Sequence, residues 1–482
     1  MLKTLRLITT FLVSLSYVPA FSQAAKDSAP FDPAPWLEDF QQLQAEMSSH
    51  YAGLEFAITE RKMDLPALRI QTEAKLRAAK DDQESRRIIE KFLASFGDGH
   101  LNVHWKSSAA TTKSLEPANL CTRLGYVSFL KPGLDFSNFS NFTPLNHGDG
   151  TFFSGGLLHL ANDKTVGVIR IGLFSEHTYP ELCEQVTKTL HLSNTDKCDD
   201  ACSDKVEFAV ADLLTAAVSR RASELKSAGA TSLLIDITRN GGGSDWVEPA
   251  MRTLSPVPLA SARLAFLKHP HWTQNLQDEL KDVEADIKNG KEPKPLLAEA
   301  ENKLQDAIAA TKQPCSLADI WQTGKFSCSM LVRYMLYASG VLDYAKPGSY
   351  GALQAKTTLF YPLGYTYTEG TNHLPLYVLV DGGTGSAAEY FASLLQDNHA
   401  AVILGESTVG AGCGYTNGGI PTTLKNSQAE VQMPDCIRFR ADGSNEVNGV
   451  MPDVSVPWFR QASDYQRAVK LIPALEKLTA SQ

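Results

Sequence analysis

A serine, a histidine and an acid, far apart along this 482-residue chain, could together do nucleophilic and acid–base chemistry. Ser386 follows an apolar run, Leu376 to Val380, and the turn Asp381-Gly382-Gly383-Thr384-Gly385; a helically spaced stretch, Ala387 to Gln396, comes next. A serine where a strand turns into a helix has an exposed hydroxyl, and the free N–H groups of the helix start favour an oxyanion. Serine is also a preferred helix cap, and on this stretch alone the cap is the simpler reading.

His100 closes Phe96-Gly97-Asp98-Gly99-His100, at a loop-to-strand junction before the alternating Leu101 to Trp105. An imidazole there can serve as a base, although a lone histidine is more simply structural or solvated. His104 would share its strand face, but nothing nearby supplies a clear third metal ligand. A second apolar strand, Ser232 to Ile237, runs into Thr238-Arg239-Asn240-Gly241-Gly242-Gly243. Glycines let backbone N–H groups approach a ligand closely. The loop lacks a Gly-Lys-Ser/Thr ending and a GxGxxG pattern, which argues against nucleotide phosphates. Glu446 sits in a turn cluster from Asn445 to Asp453.

The elements that must position these residues follow a simple order. Trp36 to Tyr51, a stretch opened by Asp64-Leu65-Pro66, and Gln83 to Phe96 have helical spacing, so residues 25–96 are expected as an N-terminal helical domain. Strands and helices then alternate through Thr165 to Leu173, Val206 to Ala228 and the two apolar strands above, which argues α/β. Trp246 to Tyr344 breaks that alternation. Its charged, amphipathic stretches, Leu276 to Lys288 and Pro295 to Lys312, predict an inserted helical hairpin over about 246–344. Pro473 is expected to kink or break the closing helix, Asp464 to Leu478. The remainder, 97–482, is the expected core.

Composition bounds the partners. A net charge of −9 argues against nucleic acid or anionic lipid. Lys3 and Arg6 precede an apolar stretch, Leu7 to Ala20, with Ser22-Gln23-Ala24 behind it, so residues 1–24 read as a cleaved secretory signal and leave no membrane anchor. The expected location is secreted or periplasmic. All eight cysteines lie beyond the signal, an even count that suggests disulfides. Cys315–Cys328 and Cys413–Cys436 are plausible local pairs, though the sequence alone does not choose among connectivities.

The motifs, taken in order, resemble the tail-specific (C-terminal processing) protease family of serine peptidases, which includes the tricorn core. Phe96 to His100 is similar to that family's Asp-Gly-His loop, and Leu234 to Gly243 to its Asp-Leu-Arg-x-Asn-x-Gly-Gly segment, with Thr238 where arginine is usual. Ser386-Ala387-Ala388-Glu389 resembles the nucleophile segment, Gly405 to Thr408 the Gly-Glu-x-Thr that follows, and Glu446 to Asp453 the Glu-x-x-Gly-Val-x-Pro-Asp ending. Ser/Lys members carry a lysine where this chain has Ala411, which excludes a dyad built from that position. The tricorn-like branch uses Ser, His and Glu.

The resemblance implies a crotonase/ClpP-like β-β-α spiral core and an exported serine endopeptidase acting on proteins or peptides. Ser386 would attack, His100 would move the proton, and Glu446 would hold the imidazole. The N–H of Ala387, with Gly242 or Gly243, would form the oxyanion hole. Glu389 and Glu406 are read as structural. No cofactor or metal is implied, and the oligomeric state stays open. Trp105 to Val166 is short for a PDZ module. A non-catalytic peptide-binding protein on the same scaffold, or an esterase, are the competing readings.

Overall fold

A computed structural model describes residues 30–480 except 107–118, 130, 146–151, 417–420 and 460. The expected signal, 1–24, lies outside the described residues.

Strands that are apolar on both faces belong in the middle of a parallel sheet, where both faces are covered. Ser232–Asp236 and Leu376–Val380 fit this: every residue of both is buried. They are neighbours in a seven-stranded sheet whose spatial order is the reverse of chain order, from Val454–Ser455 through Val402–Gly405, Leu376–Val380, Ser232–Asp236, Thr165–Arg170 and Gly155–His159 to Phe142–Pro144. The first four pairings along this order are parallel and the last two antiparallel. Parallel strands deliver their loops to one edge, so the Thr238–Gly243 and Asp381–Gly385 loops emerge side by side.

One face of the sheet is covered by the long helix Asp200–Ser227, by Val247–Leu254 and by Ala387–Asp397, with Trp246, Phe174 and Phe391 in the shared core. The other face is covered by Asp464–Ala480, whose Ala468, Leu471 and Leu475 are fully buried with Leu158, Tyr377 and Leu404. Pro473 sits inside that helix without ending it. Burial of the adjacent apolar stripe offsets the cost of an interior proline, about 3 kcal/mol.

The N-terminal helices are Ala34–His50, Leu54–Thr59, Leu65–Ala78 and Asp82–Ala94. Asp64 caps the third by accepting from the Ala67 N–H at 3.0 Å. Polar contacts tie these helices to distant chain: the buried Glu55 carboxylate receives Met330 N–H (2.7 Å) and Arg333 (2.9 Å), and Trp321 donates to the Gln44 carbonyl (2.8 Å).

The segment expected as a helical insertion also contains two strands, Arg263–Leu267 and Leu331–Tyr337, in a small antiparallel sheet with Cys436–Phe439. Arg333, Tyr334 and Met335 are exposed, which broke the alternation a strand would show in sequence. The helical hairpin is Pro270–Lys288 followed by Lys294–Thr311, and Val247–Leu254 belongs to the main core. Four disulfides form: Cys315–Cys328 and Cys413–Cys436, as the local spacing suggested, and Cys121–Cys183 and Cys198–Cys202. No cysteine is free.

Candidate active site

Strand Leu376–Val380 passes through its turn to Ser386, which has φ +54° and ψ −123°. A non-glycine residue in that region costs on the order of 1–3 kcal/mol and persists only where surroundings hold it. Glu389, fully buried, is the holder. Its carboxylate accepts from the Ser386 N–H (3.0 Å), the Ala411 N–H (2.8 Å), the Gly410 N–H (2.6 Å) and the Thr408 hydroxyl (2.5 Å). Burial raises the Glu389 carboxyl's pKa, and these donors oppose the rise. The Glu389 amide itself donates to the Ser386 carbonyl oxygen at 2.9 Å. That leaves the Ser386 hydroxyl for another partner, His100 Nε2, at 3.0 Å.

His100 is placed by its loop. The Asp98 carboxylate accepts from the His100 N–H (3.0 Å) and from the Tyr51 hydroxyl (3.1 Å). Gly99 donates to the Gly410 carbonyl at 3.0 Å, and a Cβ there would lie 3.0 Å from both Ala411 Cβ and Val409 Cγ1. The Asp-Gly-His loop therefore docks on the loop that Glu389 braces. The Tyr415 hydroxyl donates to the His100 carbonyl, and Gly414, at φ +89°, leaves room for the ring. Burial, together with the nearby Arg438 cation, lowers the imidazole pKa to about 4, against partial opposition from the Ala411 carbonyl. The ring is thus neutral at pH 7. Its buried Nδ1 makes no hydrogen bond among the described residues. His104 is exposed and reaches Gln432 instead (3.3 Å).

Glu446 does not hold the imidazole directly, which corrects the expected contact. Its buried carboxylate accepts from the Ser393 hydroxyl (2.9 Å) and from Arg438 Nε (2.5 Å). Arg438 also donates to the Gly412 carbonyl (3.0 Å) and covers the Tyr390 ring at 4.3 Å. A buried carboxylate takes the strongest compensating charge within reach, and a guanidinium outcompetes an imidazole whose own charged form is suppressed. Sequence reasoning missed Arg438. Its position between Ile437 and Phe439 on a buried strand was the available signal, because a cation there needs a partner.

The glycine loop meets the elbow closely. A Cβ on Gly242 (φ +107°) would lie 2.6 Å from Ser386 Cβ and 2.8 Å from the Ala387 nitrogen. The Gly242 N–H donates to Asn240 Oδ1 at 2.9 Å, so it is not available to a substrate. Asn240 is held in turn by the Ile171 carbonyl (3.1 Å). The N–H groups of Gly243 and Ala387 make no hydrogen bond among the described residues. Glu406 accepts from the Trp458 N–H (3.2 Å), a structural contact.

Above these groups lies a cleft of about 430 Å³ that reaches His100, Ser386, Ala387 and Gly243. The small sheet and the first hairpin helix give it an apolar wall of Leu264, Trp272, Leu276 and Leu336. Glu248 in the wall is neutralised by Arg252 (3.0 Å). Asp245 and Glu279 make no ion pair among the described residues.

A hydroxyl facing a neutral imidazole, with free N–H donors beside it on this mixed α/β scaffold, belongs to a serine-type peptidase. Comparison gives the family. The model of peptidase family S41 matches residues 207–456, more than half of the chain, and the chain belongs to that family. The match spans Gly242, Gly243, Ser386, Ala387 and Glu446; His100 lies before it. Among solved structures, mature CPAF complexed with lactacystin shares the fold over 93% of this chain and 98% of its own, at 14% identity and a TM-score of 0.56. Mature CPAF gives 14% identity, 93% and 97% coverage and a TM-score of 0.54.

Proposed function

We propose that the chain is an exported serine endopeptidase that cleaves proteins or peptides through Ser386 and His100. The observation that carries this is the 3.0 Å approach of His100 Nε2 to Ser386 Oγ at a strained elbow. His100 takes the hydroxyl proton as Ser386 Oγ bonds to the peptide carbonyl carbon, then returns it to the leaving amine; water releases the acyl group by the same route. The N–H groups of Ala387 and Gly243 receive the carbonyl oxygen as it gains charge. Glu446 acts as a positioning residue, through Arg438, rather than as a direct partner of the ring. Four disulfides with no free cysteine support export.

An unfolded protein such as casein tests the reading. Wild type is expected to cleave it, and Ser386→Ala to lose about a thousandfold or more in kcat with an unchanged melting temperature. Equal cleavage by wild type and Ser386→Ala overturns it. The lack of a carboxylate on Nδ1 of His100 favours a second reading, a peptide-binding protein without turnover. Peptide bound by wild type with no product released, even as a single turnover, selects that reading.

A further inference from the structure

A second cluster of chemistry-bearing side chains lies behind the glycine loop, on elements the proposed chemistry does not use. Glu176 and His177 sit in a short helical turn, Glu176–Thr178, and Glu207 faces them from the helix Asp200–Ser227. One ligand atom from each of the three lies within 4.8 Å of the other two. No ion pair joins His177 to either carboxylate among the described residues. The three converge without satisfying one another.

Two independent observations mark a missing partner at this spot. Glu176 is fully buried; one carboxylate oxygen accepts from the Ser244 hydroxyl, and the other, Oε1, has no hydrogen-bond partner. Tyr126, 3% exposed, lays its ring against His177 at 4.6 Å and also leaves its hydroxyl without a partner. A buried carboxylate oxygen without a donor is unfavourable unless a cation or proton meets it. Asp204 and Asp245 both act on Glu207, which adds negative potential.

We infer that Glu176, His177 and Glu207 form a binding site for one first-row transition-metal dication, of which zinc is the natural probe. One imidazole with two carboxylates is a mixed N/O donor set suited to such ions, and it leaves a position for water or for the Tyr126 hydroxyl. An all-oxygen site of higher coordination would be needed for calcium. The backbone fixes the histidine: the Val127 N–H donates to the His177 carbonyl at 2.8 Å. The ion would lie one hydrogen bond from Ser244, the residue after Gly243, so occupancy would stiffen the loop that carries the Gly243 N–H.

Binding is measured on the full chain by calorimetry with Zn²⁺ after chelator treatment, which does not depend on the peptidase reading. The expected result is one tight Zn²⁺ per chain, with affinity lowered at least about 100-fold in His177→Ala and in Glu207→Gln. Glu207 is half-buried on a helix surface, so its glutamine variant keeps the fold, as circular dichroism checks. Visible absorption of added Co²⁺ gives a direct readout of ligation on wild type. Absence of tight Zn²⁺ binding, Ca²⁺ binding in preference to Zn²⁺, or unchanged binding in both variants overturns the site.

Discussion

Arg438 Nε lies 2.5 Å from the Glu446 carboxylate, and the guanidinium carbon rests 4.3 Å over the Tyr390 ring. This cation stands between the acid and the imidazole that a triad would join directly. Its charge disfavours protonated His100, whose pKa is about 4. The neutral ring is the base, so activity is lost only as pH falls through that value, and the acid limb of kcat/KM belongs near pH 4. Removing the cation raises the imidazole pKa. Arg438→Gln is therefore expected to move the acid limb to higher pH. Glu446→Gln leaves Arg438 without its carboxylate and should move it lower. Breaking either half of the buried pair should also cost about 3–5 kcal/mol of stability by denaturant titration. Shifts in the same direction would refute the indirect role of Glu446.

The glycine loop sets the second prediction. Gly242→Ala places a methyl group 2.6 Å from Ser386 Cβ and 2.8 Å from the Ala387 nitrogen, at a φ of +107° that alanine resists. Loop and elbow must separate, which moves the Gly243 and Ala387 donors apart. Steady-state kinetics should show kcat down by about 10²–10³-fold with KM within a few-fold, the loss typical of a removed oxyanion donor.

Glu389 should matter to stability as much as to rate. Its four donors include three backbone N–H groups, and a glutamine amide would turn two N–H groups of its own toward some of them. Glu389→Gln is expected to destabilise by about 3 kcal/mol, from the loss of charge-assisted bonds in a buried site. The same variant should lower kcat, because the positive φ of Ser386 is no longer held. An unchanged melting curve would show that the strain is held elsewhere.

Charge in the cleft points to substrate preference. Burial, with Asp282 nearby, pushes the Glu279 carboxyl up to about 7. Below that pH the group is neutral; above it, it is an anion facing bound substrate. Peptides with lysine or arginine near the cleaved bond should gain over glutamate analogues as pH rises from 6 to 8. A several-fold gain in the kcat/KM ratio is expected for wild type, and none for Glu279→Gln.

Much of this site was legible along the chain. Ser386 and the glycine loop follow strands with apolar interiors, and a strand buried on both faces lies inside a sheet with its loops at the edge. Asp64, the central strands and two of the four disulfides were likewise local matters. The strand at Leu331–Tyr337 was hidden because Arg333, Tyr334 and Met335 are exposed in a row, and it forms by pairing with Arg263–Leu267, which pairs in turn with Cys436–Phe439.

Residue types and local spacing determined that a hydroxyl would stand at a sharp turn, that glycines would line the neighbouring loop, and that Ala411 could not supply an amine. Tertiary structure decided the partners. His100 reaches Ser386 across 286 positions because Asp98, Gly99 and the loop braced by Glu389 fit together in three dimensions. Glu446 turns to Arg438 because a buried carboxylate takes the best charge within reach, whereas the Gly242 N–H closes a short local turn on Asn240, two residues back. Nothing in the turn around Glu446 specifies that choice.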